Sequence, residues 1–218
     1  YLFGKTDLDW PQKNGHVSLK LENICKQNKL AEGPAHDAMV DVIATLELAK
    51  RLKKQTAMWD YATAYFNKAE DAKRFEALTP SFDFTDDFRD AVYVNSKLGY
   101  KNHCLAPMIT LGQHKHYKNQ MLLLRLDGED LQKASVSEPD KHAWVMRKKL
   151  GEPGLLLPAR ERYFKHFPEA RMQLAHENKQ WLHDHPEVLQ AIADYYCDYQ
   201  YPIVPNADLD SVLYQTGF

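Results

Sequence analysis

The segment from residue 34 to residue 52 reads PAHDAMVDVIATLELAKRL and predicts the best-defined helix of the chain. Asp37 stands at its start, where a carboxylate can accept hydrogen bonds from the first unpaired N–H groups of a helix. Asp41 lies one turn further in, where negative charge complements the positive end of the helix dipole. The predicted helix covers residues 36–54, and its apolar stripe consists of Met39, Val42, Ile43, Leu46, Ala49 and Leu52.

The helix start allows two interpretations of His36 and the two aspartates. In the first, Asp37 and Asp41 only stabilise the helix, and His36 is a loop residue. In the second, His36 and Asp41 face a common cleft. A carboxylate oxygen there suits Mg²⁺ or Mn²⁺, and an imidazole with a pKa of about 6.5 can take a proton from water near neutral pH. A metal and a base are together what hydrolysis of a phosphodiester requires.

The remaining sequence alternates between helical and β-rich sections. Residues 58–78 continue as helix, whereas residues 82–150 contain short apolar runs bounded by Gly, Pro, Asn or Asp, which predict an antiparallel sheet or small barrel. GEPGLLLP at residues 151–158 is interpreted as a linker. Helices return from residue 161, and Pro186 is well placed at a helix start. The pattern predicts an α+β chain of three regions.

Composition restricts the possible classes of function. The formal net charge of −2 gives no strong overall attraction to nucleic acid, so a polyanion site requires local segregation of charge. Three distant cysteines without a CxxC pair argue against a disulfide framework or a cysteine zinc site, and they fit a reducing cytoplasm. No apolar run approaches the roughly 20 residues of a membrane span. The histidines of HKH (114–116) and HDH (183–185) lack further ligands, and they are interpreted as surface residues.

Several segments of the sequence carry a family resemblance. AHDAMVDVIATLELAKRL resembles the last catalytic motif, H-x-A-x-x-D, of the DEDD exonucleases in their histidine subclass. More narrowly, it is similar to bacterial exonuclease I, which degrades single-stranded DNA from the 3′ end. WPQKNGHVSLKLENICKQNKL resembles the part that precedes this motif. MQLAHENKQWLHDHPEVLQAIADYYCDYQ and DLDSVLYQTGF resemble part of the C-terminal helical domain, so the resemblance spans the chain and is weakest in its β-rich middle.

The resemblance implies a multidomain α+β fold. Residues 1–55 would be the C-terminal end of an RNase H-like exonuclease domain, residues 56–158 an SH3-like domain with a leading helix, and residues 159–218 part of a helical domain. In the family, the last two extend the exonuclease domain into a clamp around single-stranded DNA. The chain starts without methionine and in the middle of a pattern, so we expect a segment of a longer, monomeric protein of the cytoplasm.

The resemblance also implies roles for individual residues. His36 would be the general base and Asp41 a ligand of one of two Mg²⁺ or Mn²⁺ ions, whereas Asp37 has no catalytic role. The other acidic ligands of the family, an Asp-x-Glu pair and a further aspartate, belong upstream of this sequence. One carboxylate cannot hold two metal ions. We therefore predict that the parent protein releases mononucleotides from single-stranded DNA and that this chain alone does not.

A partner is implied as well. In the family, the acidic C-terminal tail of single-stranded DNA-binding protein binds near the SH3-like domain. Tyr61, Lys148 and Lys149 are candidates for this contact by position, and Arg147 opens the same basic stretch. These four residues are the predicted contacts with DNA or with a partner. A solvated basic face is the alternative interpretation of the stretch.

Two other classes of function are considered for the chain. The first is an HD-type metal phosphohydrolase that uses His36 and Asp37 as adjacent metal ligands. It needs histidines on earlier helices, and only His16 lies upstream. The second is a non-catalytic module that binds single-stranded DNA or a protein partner through its β-rich middle. Substitution of Asp37 separates the phosphohydrolase from the exonuclease, because only the former needs that carboxylate for activity.

Overall fold

The computed structural model describes residues 7–13, 15–34 and 37–200. The N-terminal part consists of a short hairpin, β1 (Gln12–Lys13) and β2 (His16–Val17), followed by helices α1 (Leu21–Asn28) and α2 (Ala38–Lys53). The two helices pack around Ile24, Leu30 and Ala44. This small core is separate from the cores of the remaining chain.

Two helices then lead to the main sheet: α3 (Thr56–Thr63) and α4 (Lys68–Glu76). The continuous helix predicted for residues 58–78 is interrupted at Asn67, which has an extended backbone. The side-chain oxygen of Asn67 accepts hydrogen bonds from the backbone N–H groups of Ala69 and Glu70 at 3.0 and 3.1 Å. An asparagine in this position starts a new helix, which explains the break in an otherwise helix-favouring sequence.

The middle of the chain forms a five-stranded antiparallel sheet, which confirms the predicted β-rich region. Its strands stand in the order β6-β5-β4-β3-β7. β4 carries an irregularity between Thr110 and Gly112, where the glycine has a φ of +109°. The strands are β3 (Asp90–Val94), β4 (Leu105–Gln113), β5 (Gln120–Arg125), β6 (Val145–Lys149) and β7 (Leu155–Pro158).

The prediction of a linker at residues 151–158 is wrong for its second half. Residues 155–158 are strand β7, and Leu157 pairs with Val92 of β3. Leu156 and Leu157 are buried at the edge of the sheet. The glycines and the proline of GEPG suggested a linker, but the three leucines that follow bury too much apolar surface to remain in an exposed connection.

The C-terminal part contains α5 (Glu161–Phe164), α6 (Glu169–Asp184) and α7 (Pro186–Asp198), and Pro186 occupies the predicted first turn. α6 and α7 pack on one face of the sheet and share its core through Leu182, Leu189 and Ile192. Asn178 of α6 is completely buried, and its amide donates to the carbonyl of Leu126 at 2.6 Å. The sheet and the helices α6 and α7, which lie on either side of the predicted boundary of 158/159, therefore share one apolar core.

His114 contradicts the prediction of surface histidines. Its side chain is 1% exposed, and Nδ1 accepts hydrogen bonds from the backbone N–H groups of His116 and Tyr117. Burial lowers the pKa of His114, so the ring is neutral at pH 7. Within the part of the chain that the structure describes, no helix is long and apolar enough to cross a bilayer.

A buried ion pair fastens α4 to the sheet. The ammonium group of Lys148 on β6 lies 2.7 Å from the Asp71 carboxylate, and both side chains are 1% exposed. Asp71 also accepts a hydrogen bond from the backbone N–H of Gly151 at 2.9 Å. The carboxylate thus holds both the strand and the turn that follows it. A buried charge that loses its partner is strongly destabilising.

We therefore expect Asp71→Asn to lower the free energy of unfolding by about 3–5 kcal/mol, because the amide can still accept from Gly151 but cannot neutralise Lys148. Urea denaturation followed by circular dichroism measures this change. Glu70→Gln is the matched control, since Glu70 forms an exposed ion pair with Lys73. An Asp71→Asn midpoint equal to that of the Glu70→Gln variant would contradict the stabilising role of the pair.

Candidate functional site

The start of α2 has the N-cap predicted for it. The Asp37 carboxylate accepts hydrogen bonds from the backbone N–H groups of Met39 at 2.9 Å and Val40 at 3.0 Å. Asp37 has an extended backbone, as an N-cap residue should. Both short contacts use the same carboxylate oxygen, so the cap is confirmed as the local role of this aspartate.

Asp41 lies one turn into α2 and is half-buried. Its backbone N–H donates to the Asp37 carbonyl at 3.0 Å, and its own carbonyl accepts from the Thr45 hydroxyl at 2.8 Å. Among the residues that the structure describes, none donates a hydrogen bond to the Asp41 carboxylate or forms an ion pair with it. A half-buried carboxylate without a partner is available to an external ligand. The predicted general base, His36, lies outside the described residues.

Gly33 controls how the chain approaches this helix start. Its φ is +131°, which only glycine adopts readily, and a Cβ built on it would lie 2.6 Å from Cγ2 of Val40. The turn before α2 therefore runs against the first turn of the helix. This close approach fixes the turn at Gly33 against the helix that carries Asp41.

The apolar stripe predicted on α2 is largely uncovered. Met39 is 65% exposed, Val42 61%, and Ile43 and Leu46 are also exposed. The buried face of the helix is a different one: Ala44 is 1% exposed and packs against α1. Four large apolar side chains on one helix face form an exposed apolar patch, which is typical of a surface that packs against another structural layer.

Tyr61 belongs to an aromatic group at the junction of α3, α4 and the sheet. Its hydroxyl lies 3.2 Å from that of Tyr65, and the Arg74 guanidinium stands 4.2 Å from the Tyr61 ring centre and 4.3 Å from the Tyr65 ring centre. Tyr65 is buried, and its hydroxyl donates to the Leu156 carbonyl at 2.8 Å. Burial raises the pKa of Tyr65, so this hydroxyl remains a donor. Tyr61 itself is half-buried at the edge of the group.

The basic residues predicted with Tyr61 divide between the two faces of β6. The Lys148 ammonium is buried against Asp71 and is not offered to a ligand at the surface. Arg147 points to the opposite face, because side chains alternate along a strand, and its guanidinium lies 5.9 Å from the Tyr199 ring centre. Lys149 is exposed, with its ammonium 3.6 Å from Glu152. The structure therefore brings Lys148, but not Arg147, towards the tyrosine group.

Sequence reasoning missed a cleft of about 460 Å³ between the N-terminal hairpin and the connection from β3 to β4. Two lysines and an exposed tyrosine contribute to its wall, and these three residues are Lys13, Lys20 and Tyr100. Only the tertiary contact between the hairpin and the loop around Tyr100 creates this cleft, so no local pattern indicates it. In the described ranges, no three His, Cys, Asp or Glu side chains are grouped so that they could hold a metal ion.

The chain resembles known proteins in sequence. It is 30% identical to exodeoxyribonuclease I of Haemophilus influenzae over 157 residues, which are 69% of this chain and 30% of the relative. It is 28% identical to exodeoxyribonuclease I of Escherichia coli over 131 residues, 59% of this chain and 26% of the relative. The match spans less than a third of the length of these relatives. No protein-family model matches the chain.

Solved structures show the same fold. Escherichia coli exonuclease I in complex with a dT13 oligonucleotide has a TM-score of 0.73 at 22% identity, and the match covers 97% of this chain and 47% of that one. The ExoI/SSB-Ct complex gives a TM-score of 0.70 at 20% identity, with 97% and 46% covered. The sequence relatives are all exodeoxyribonucleases by name. The predicted resemblance of the chain to bacterial exodeoxyribonuclease I is therefore confirmed.

The cap of α2 gives a direct test of the role of Asp37. We expect Asp37→Ala to destabilise α2 by about 1 kcal/mol, because two backbone N–H groups lose their acceptor, and Asp37→Asn to change its stability little. Hydrogen exchange of the α2 amides measures both effects. Equal protection in the alanine variant and in the unsubstituted chain would show that the cap does not stabilise the helix.

Proposed function

We propose that this chain is part of an exodeoxyribonuclease I-like enzyme that hydrolyses single-stranded DNA from the 3′ end and releases mononucleotides. The observation that carries the proposal is the half-buried Asp41 carboxylate at the start of α2, which has no partner among the described residues. The chain that contains it is 30% identical to an exodeoxyribonuclease I over 157 residues. In this proposal, His36 removes the proton from the attacking water, and Asp41 contributes one carboxylate to a site for Mg²⁺ or Mn²⁺.

The described residues do not fit a complete metal site. Asp41 is one hard oxygen ligand, and no group of three metal-binding side chains occurs among the residues of the described ranges. Two divalent ions need several carboxylates. The remaining ligands would come from the part of the relatives that this chain does not match. We infer that the chain alone does not digest DNA.

The exposed apolar stripe of α2 supports the proposal that the other metal ligands come from a part of the protein outside this chain. Met39, Val42, Ile43 and Leu46 form an apolar face with no cover among the described residues. We propose that this face packs on the remainder of an exonuclease domain, while the opposite face packs on α1. The same helix would then hold Asp41 rigidly against the other acidic ligands. Burial of the four side chains would stabilise that contact, because each large apolar residue contributes about 1.5–3 kcal/mol.

Single-stranded DNA and an acidic protein tail are the proposed partners, since solved homologous structures contain a dT13 oligonucleotide and SSB-Ct. Tyr61 and Lys149 remain candidates for the tail of single-stranded DNA-binding protein, and Arg147 remains a candidate for DNA. Lys148 is left out, because its charge is already neutralised inside the protein. A monomer in the cytoplasm is part of the same proposal.

The HD-type phosphohydrolase has less support. The Asp37 carboxylate accepts two backbone hydrogen bonds through one oxygen, which accounts for its presence without a metal. A non-catalytic module that binds single-stranded DNA has more support than the phosphohydrolase. It describes what the isolated chain would do when the other metal ligands are missing. It differs from the leading proposal only in the role of Asp41.

DNA binding by the isolated chain is tested with a fluorescent oligothymidylate and anisotropy at several salt concentrations. We expect the affinity to fall steeply with salt, with a logarithmic slope of about −0.7 for each phosphate contact. A duplex of equal length is the control, and we expect it to bind more weakly. Affinity for the single strand that is undetectable at low salt would contradict the proposal.

Nuclease activity gives an independent test. We expect the chain to leave a 3′-labelled oligothymidylate intact in the presence of Mg²⁺ or Mn²⁺, because Asp41 alone cannot hold two ions. Denaturing gel electrophoresis detects release of the label. Metal-dependent digestion that Asp41→Asn abolishes, but Asp37→Asn does not, would disprove the inactivity of this chain. Digestion abolished by Asp37→Asn would favour the phosphohydrolase.

A further inference from the structure

Trp144, the residue just before β6, is 52% exposed. An indole ring is large and apolar, and aromatic residues dominate the energetics of interfaces. The backbone of Trp144 is fixed, because its carbonyl accepts a hydrogen bond from the Arg125 N–H at 3.0 Å. The exposed ring therefore stands at a defined place on the sheet, and no apolar core of the described residues includes it.

The ring is also braced from one side. The Arg125 guanidinium lies over it, 4.4 Å from the ring centre, and Arg125 is itself 9% exposed. The completely buried Asp127 carboxylate holds that guanidinium. Arg171 of α6 donates to the same carboxylate through Nε at 2.7 Å. The indole is thus pre-organised by a network that joins the sheet to the C-terminal helices, so a ligand would spend little free energy on ordering it.

A groove of about 360 Å³ runs along Trp144 between β6 and α7. Two of its lining residues are cationic, Lys97 and Arg147, and no carboxylate belongs to the described lining. Tyr196 forms the α7 side, where its hydroxyl donates to the Ala143 carbonyl at 3.3 Å. The remaining lining residues are Val145 and Met146.

A second groove next to Trp144 has a different set of charged residues. This groove of about 450 Å³ shares Trp144, Val145 and Tyr196, but it also contains Glu129 and Asp130. The Asp130 carboxylate is paired with Lys133, which leaves Glu129 as the acidic group there, so the groove with Lys97 and Arg147 is the more favourable one for phosphate groups. Trp144 is therefore shared by two grooves, one lined by the cations Lys97 and Arg147 and one that contains carboxylates.

We propose that Trp144 is a stacking platform for a base of single-stranded DNA, whose phosphates follow Lys97 and Arg147. The choice of DNA rests on the proposed function, whereas the site rests on the Trp144 ring held by Arg125 and on the two grooves with different charged linings. Stacking on an aromatic ring combined with cationic contacts is how proteins hold single strands without reading their sequence. An acidic peptide would use the cations, but it offers the flat indole no equally matched planar partner.

The test compares Trp144→Ala with Trp144→Phe and with Val136→Ala in the complete chain. Val136 is 55% exposed and lines neither groove, so it is a matched control for loss of an exposed apolar side chain. We expect Trp144→Ala to weaken binding of oligothymidylate about 5- to 100-fold, because each stacked base contributes about 1–3 kcal/mol. Trp144→Phe should retain most of the affinity, and Val136→Ala all of it.

The contribution of Lys97 and Arg147 is measured separately, through the salt dependence of binding. Arg147→Gln and Lys97→Gln should each reduce the salt slope of binding by about 0.7, whereas Trp144→Ala should leave the slope unchanged. An abasic oligomer of the same length should bind the unsubstituted chain and Trp144→Ala equally, because it has phosphates but no bases. Circular dichroism confirms that each variant is folded.

The outcomes separate this site from the proposed function. If the unsubstituted chain does not bind oligothymidylate, both proposals are overturned. If it binds and Trp144→Ala binds equally well, only the platform is overturned. If Trp144→Ala weakens binding of an acidic peptide but not of the oligonucleotide, the groove is a peptide site and the platform for DNA is likewise overturned.

Discussion

The structure depends most on the Asp127 carboxylate, which is completely buried between two arginines. Arg125 comes from the sheet and Arg171 from α6, so one carboxylate connects two parts of the chain that are distant in sequence. Neither charge could be buried alone at acceptable cost. Because Arg125 also supports the Trp144 ring, the same network determines how the C-terminal helices sit on the sheet and how an exposed aromatic is presented at its edge.

The sequence was most informative where the interactions are local. The N-cap of Asp37, the helix start at Pro186 and the strands bounded by turn residues depend on neighbours within a few positions. The strand β7 was missed because its glycine- and proline-rich approach dominates the local pattern. β7 pairs with β3, which lies more than 50 positions earlier, and Leu157 stands opposite Val92. Such a long-range contact cannot be inferred from the local sequence.

Burial could not be inferred from residue type. Lys148 carries a charge, which is typical of surface residues. It is nevertheless buried, because Asp71 of α4 forms an ion pair with it. His114 is buried although it belongs to a polar HKH triplet. Conversely, Met39 and Val42 form an apolar stripe and remain exposed. Arg147 and Lys148 were predicted together as one basic stretch, whereas strand alternation places them on opposite faces of β6, and only Lys148 is buried against Asp71. For the candidate site, Asp41 lies half-buried in the first turn of α2, and the catalytic roles of Asp41 and His36 stay predictions.

Gly33 also limits which amino-acid substitutions the chain tolerates before α2. A single added methyl group there would meet Val40, so the first turn of α2 would shift away from α1 or the preceding turn would unwind. Either movement would displace a carboxylate that is not itself touched by the substitution. A position without any functional group thus restricts which sequences can keep the first turn of α2 in place, although it makes no polar contact itself.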